Sequence, residues 1–176
     1  MKILKTKFDG LKVIKGINHY DNRGLFRETF KNSLFKKKKF IFWCLSKSKR
    51  KVVRGLHLQK KHQQDKFVSV VKGKIFDIVL DLRKGSKTYG KHFTIVLSDK
   101  NSTSLFIPAG FAHGFCALEK ENLVFYGCTN YRSKNNELGI LWNDKDLKIK
   151  WPLKKPIVSK KDKNNLTFKN FKKIYK

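Results

Sequence analysis

Along residues 52–131 the chain repeats one pattern, a short run rich in Val, Ile and Phe followed by a polar break. The runs are Val52–Gln59, Lys66–Val71, Lys74–Leu82, Lys91–Ser98, Ser104–Pro108, Phe111–Leu118 and Asn122–Tyr131. Runs of this length, rich in β-branched and aromatic residues and bounded by Gly, Ser, Asn and Pro, predict strands. Within Lys74–Leu82, Phe76, Ile78, Leu80 and Leu82 share one face, and Asp77 and Asp81 share the other. Lys72-Gly73, between two runs, predicts a hairpin. Many short strands at even spacing predict an all-β fold, an antiparallel sandwich or barrel with a few short helices. Helix is expected at Lys31–Lys38, and the tail after Trp151 should be loops with one basic helical turn. No repeat or low-complexity linker interrupts the chain, so residues 1–176 read as a single domain with a basic tail from about residue 163.

Composition changes this picture in one respect, charge. The formal net charge is +29, carried by 36 lysines and only six arginines. Readers of nucleic acid lean on arginine for bidentate contacts. Scattered lysines indicate solvated faces instead, so no specific nucleic-acid partner is expected. A non-catalytic basic module that binds anions or nucleic acid is the alternative from another class. No apolar run is long enough for a membrane span, and the start lacks the apolar stretch of a signal peptide. Cys44, Cys116 and Cys128 have no metal-type spacing, and their odd number argues against a disulfide framework. These features predict a cytoplasmic protein with no membrane partner, with Cys116 and Cys128 as core thiols.

A barrel has an inside, so polar groups on strand faces are the informative ones. By alternation His57 lies with Val53, Gly55 and Gln59, His113 with Phe111 and Phe115, and Tyr126 with Val124 and Cys128; Lys66 opens its strand. Each alone is ordinary in a core or at a surface. Together they allow two readings. One is a metal held by His57, His62 and His113. Against it, His57 and His62 are five apart, on opposite strand faces, and no carboxylate follows at a ligand's spacing. The other is proton chemistry, with a histidine base, a tyrosine acid and a lysine to hold developing negative charge. Strict alternation also sets Arg54 opposite His57, so one site could use both only if the strand twists or bulges there, or if Arg54 reaches around.

The motifs "RGLHLQ", "DKFVSVVKGKIFDIVLDLRKGSKTYG", "IPAGFAHGF", "ILWND" and "IKWPLKKPIVSKKD", in that order and after "DNRGLFRETF", resemble the dTDP-4-dehydrorhamnose 3,5-epimerases. The resemblance implies a jelly-roll cupin barrel, a homodimer, no metal or organic cofactor, and a nucleotide-linked 4-keto-6-deoxyhexose as substrate. It implies His57 as base, Asp162 as its partner, Tyr126 as acid, and Lys66 beside the C4 oxygen. His113 would hold the sugar. Arg23, Glu28, Arg54, Glu137 and Lys161 would contact the nucleotide-sugar, part of the Arg23–Glu28 segment coming from the partner subunit. The chain departs from the family where a Gln-x-Asn segment usually stands: here Phe42, Trp43 and Cys44 occupy it. Arg132 stands where a second aromatic often stacks on thymine. A different nucleotide sugar, or inversion at a single carbon, is therefore the nearest alternative.

Overall fold

The computed structural model describes residues 1–35 and 37–175. Its strands are β1 (Lys2–Lys5), β2 (Lys12–Lys15), β3 (His19–Asp21), β4 (Gly24–Phe26), β5 (Phe42–Lys49), β6 (Val52–Gln59) and β7 (Lys66–Lys72). They continue as β8 (Lys74–Asp81), β9 (His92–Ser98), β10 (Thr103–Ile107), β11 (Phe111–Ala117), β12 (Glu121–Cys128), β13 (Glu137–Gly139) and β14 (Ile157–Val158). Two short helices follow, α1 (Lys160–Lys163) and α2 (Phe168–Ile174). One sheet runs β1-β2-β10-β7-β12-β5 and the other β13-β6-β11-β8-β9, with β14 added in parallel to β6. The β3–β4 hairpin stands apart as a third, two-stranded sheet. This is the expected all-β jelly roll.

Alternation explains the layers. Val13, Val68, Val70, Leu105 and Val124 of the first sheet meet Ile75, Val79, Leu97, Phe111 and Phe115 of the second. The opposite face of β8 is also covered. Ile78 and Leu80 pack with Leu56, Ala112 and the aromatic residues Phe168 and Phe171 of α2. Phe171 is fully buried, a contribution of about 2–3 kcal/mol for a side chain of that size. The tail is thus a packed cover with two capped helices, not loops with one turn. Near residue 31 the structure has a 3-10 turn at Asn32–Phe35 in place of a helix over Lys31–Lys38, and Lys36 lies outside the described residues.

The hairpin expected at Lys72-Gly73 is a corner between sheets. Strand β7 pairs with β10 and β12, while β8 pairs with β11 and β9. Gly73 has φ +85°, and a Cβ there would sit 2.3 Å from the Glu121 carbonyl oxygen. The Gly73 N–H is taken by Asp99 and the Lys74 N–H by Asn122, so side chains satisfy the corner where a hairpin would use its own backbone. The turn signal was right, but its chemistry does not say which sheet the next strand joins.

Candidate active site

A cavity of about 700 Å3 opens between β5, β7 and β12 of one sheet and β6 and β11 of the other. Its size suits a ligand larger than a simple sugar. His57 and His113 enter from one sheet, Tyr126 and Lys66 from the other.

Strand β6 positions the first group by breaking its own alternation. Between the pairs His113↔His57 and Phe115↔Arg54, β11 advances two residues and β6 three. The extra residue makes a bulge. Gly55 occupies it with φ +115°, where a Cβ would lie 2.6 Å from the Gly114 Cα, so no larger residue fits. The bulge brings Arg54 and His57 to the same cavity. Arg54 is steadied by Ser48 Oγ (3.0 Å from Nε) and the Lys47 carbonyl (3.1 Å from Nη2).

Asp162 meets His57 from the far end of the chain. Strand β14 lays Ile157 and Val158 beside Val52 and Val53, and Ser159 then caps α1, its Oγ accepting from the Asp162 N–H at 3.0 Å. Asp162 Oδ1 lies 2.6 Å from His57 Nε2, and Oδ2 accepts from the Gly55 N–H at 3.3 Å. Burial works to raise the Asp162 pKa. Its bonds to His57, Gly55 and Ser159 outweigh that and hold it below the usual carboxylate range. On the other side of the ring, Nδ1 is 3.9 Å from Glu137 Oε1. Glu137 is clasped by Lys161 (2.8 Å) and Arg132 (2.8 Å), which outweigh its burial and keep its pKa low.

Tyr126 stands opposite Cys44 in the β12–β5 register. Burial, helped by Cys44 and Cys128, pushes its phenol up to about 12, so it is a neutral proton donor at ordinary pH. Lys66 is half-buried at the start of β7. Desolvation lowers its pKa against the opposing pull of Cys128, Glu137, Asp77 and Cys44. His113 Nε2 lies 2.8 Å from Asp77 Oδ2. Asp77, which holds His113 from behind the cavity lining, was not singled out: alternation gave its face on β8, but not that this face looks inward. The available signal was two aspartates on one face of an otherwise apolar strand.

Of the expected site residues, His57, Tyr126, Asp162, Lys66, Arg54, His113, Arg132, Glu137 and Lys161 line this one cavity. Arg23 and Glu28 do not. Arg23 sits at the tip of the β3–β4 hairpin, exposed and paired with Asp21, and Glu28 pairs with Lys31. His62 is an exposed turn residue outside the cavity, so the three histidines of the metal reading do not converge. Among the described residues no cluster of three or more metal-ligating groups occurs, and no helix is long and apolar enough to cross a membrane. Phe42 and Cys44 line the cavity wall, but Trp43 does not: it stacks on Phe125 at 5.0 Å on the opposite face of the sheet.

The family model described as dTDP-4-dehydrorhamnose 3,5-epimerase matches residues 5–170. A dTDP-4-dehydrorhamnose 3,5-epimerase from Methanothermobacter thermautotrophicus is 43% identical over 93% of this chain and 92% of its own. One from Shigella flexneri is 40% identical over 96% of each chain. The crystal structure of the Legionella pneumophila epimerase in complex with dTDP-4-keto-L-rhamnose superposes with a TM-score of 0.93. It is 35% identical and covers 99% of this chain and 96% of that one.

Proposed function

Because the chain belongs to the dTDP-4-dehydrorhamnose 3,5-epimerase family, we propose that it inverts C3 and C5 of dTDP-4-dehydro-6-deoxyglucose to give dTDP-4-dehydrorhamnose. The observation that carries the reading is a carboxylate-paired imidazole and a neutral phenol facing one cavity from opposite sheets.

The C4 ketone acidifies the hydrogens at C3 and C5. His57 removes each of them in turn, the C–H electrons move into an enolate, and Asp162 stabilises the imidazolium that results. Lys66 offers its positive charge to the enolate oxygen in a site of low dielectric. Tyr126 returns a proton to carbon from the opposite face, and solvent restores both the phenol and the free imidazole. The substrate's own carbonyl is the electron sink, so this sequence of steps needs no metal or organic cofactor. His113 holds the sugar. At the mouth, Arg54, Arg132 and Lys161 suit a diphosphate, with Glu137 fixing the last two.

The protein acts in this reading as a cytoplasmic homodimer. The β3–β4 hairpin exposes Tyr20, Leu25 and Phe26, and Arg23 at its tip is remote from its own cavity, which supports its reaching into the partner's. Three free thiols suit a reducing compartment.

Incubation with dTDP-4-dehydro-6-deoxyglucose in deuterated water tests the reaction. Deuterium is expected at C3 and C5, and Tyr126→Phe should still exchange while losing inversion at C5. Absence of exchange by the unaltered protein overturns the reading. Phe42 and Cys44 on the cavity wall favour a second reading, the same reaction on another nucleotide; equal affinity for UDP and dTDP would support it.

A further inference from the structure

Nothing in these steps uses Asp77. The residue is fully buried on β8, and only one of its oxygens is satisfied: Oδ2 meets His113 Nε2, while Oδ1 has no hydrogen-bond partner. Ser46 Oγ is the other buried side-chain atom in this condition among the described residues. An orphaned buried acceptor is destabilising.

Asp81, on the same face of the same strand, makes the contrast. It is equally buried, yet its oxygens accept from Arg83, Ser86 and Thr88, and it fixes the turn after β8. Asp81 is explained by folding, and Asp77 is not. An apolar residue like its neighbours Ile75 and Val79 would serve the fold better.

The place of Asp77 supplies the explanation. His113 is the direct register partner of His57 on the adjacent strand, so two imidazoles stand side by side in the cavity. Each is held by one buried carboxylate: Asp162 reaches His57 from α1, and Asp77 reaches His113 from β8. Burial raises the Asp77 pKa while His113 and Lys66 oppose it; as their counter-ion Asp77, like Asp162, can only accept, so the nitrogen facing it must carry hydrogen. The tautomer and the ring flip are then fixed together.

We propose that Asp77 is a positioning residue of the reaction, holding His113 with Nε2–H turned to the wall and Nδ1 free to meet a hydroxyl of the sugar. The inference rests on the epimerase reading. A hydroxyl that donates to a fixed Nδ1 has a single orientation, and the ring carbons beside it are held in line with the base and the acid.

The test is Asp77→Asn, nearly the same in shape. The melting temperature should stay level or rise, while kcat falls about 10- to 100-fold and the affinity for dTDP alone is unchanged. A residue needed only for folding would show the reverse. In 15N NMR of the unaltered protein, the His113 ring should be one tautomer with hydrogen on Nε2, and in Asp77→Asn a mixture. The double variant with His113→Asn should be no slower than His113→Asn alone. Should Asp77→Asn fail to fold, a mixed tautomer in the unaltered protein still overturns the proposal. Full kcat in Asp77→Asn overturns the role of Asp77 alone. If the unaltered protein exchanges no deuterium, the epimerase reading fails and this inference with it.

Discussion

At its closed end the cavity is walled by groups whose partners are buried: His57 on Asp162, His113 on Asp77, Tyr126 against the apolar core and Lys66 beside Cys128. At the rim, Arg54, Arg132 and Lys161 stand half in solvent, held by surface-type bonds. The same kinds of atom therefore carry different weights. A charge in the low-dielectric end is felt strongly and is hard to replace, whereas one at the rim is screened by water and salt. The closed end can be read as fixed chemistry and the rim as adjustable grip.

Substitutions should separate the two regions by size of effect. His57→Ala removes the proposed base and should lower deuterium exchange at both carbons by about 10³-fold or more; a loss under tenfold would move the base elsewhere. Asp162→Asn keeps the shape but not the charge, and should lower kcat by about 10²-fold with a small change in KM. The same variant checks a stability claim. The folded pKa of Asp162 is lowered, so its contribution is present above the ordinary carboxylate value and lost as pH falls through the lowered one. The stability advantage of the unaltered protein over Asp162→Asn should be full above about pH 4 and fade below it in acid-unfolding curves.

A smaller effect is expected on the alkaline side. Lys66 must be protonated to hold the enolate, and desolvation lowers its pKa. The rate should therefore decline on raising pH sooner than an ordinary lysine would dictate, with Tyr126 still neutral because its phenol titrates near 12. A flat kcat profile up to the ordinary lysine range would remove Lys66 from the chemistry. Smallest of all, Arg132→Ala should raise KM about 3- to 10-fold, leave kcat alone and weaken the salt dependence of KM. A kcat loss as large as that of Asp162→Asn would erase the distinction between the two regions.

The strands and the residues that line the cavity were legible in the sequence because alternation and local motifs carry them. His57, His113, Tyr126 and Lys66 each lie on a predicted strand that the structure contains. What was not legible depended on pairing between distant segments. Arg54 shares a side with His57 only because Gly55 must pass close to Gly114, 59 residues on. Gly73 turns between sheets and not within one, since Asp99 takes its N–H and Asn122 takes that of Lys74. Trp43, flanked by two cavity residues, points away from the cavity as the pleat requires, so only Phe42 and Cys44 of that apolar stretch alter the wall. The tail looked like loops because its apolar residues are few, yet Phe168 and Phe171 are placed to close the core.

The partner of His57 sits 105 residues further along, on a four-residue helix that β14 and α2 bracket. That helix carries the carboxylate that holds the His57 ring, and α2 beside it closes the core. A chain clipped ahead of residue 157 would lose the carboxylate beside His57 together with the buried Phe168 and Phe171. The geometry of the site and the closure of the core thus depend on the same segment, which makes it a latch as well as a lid.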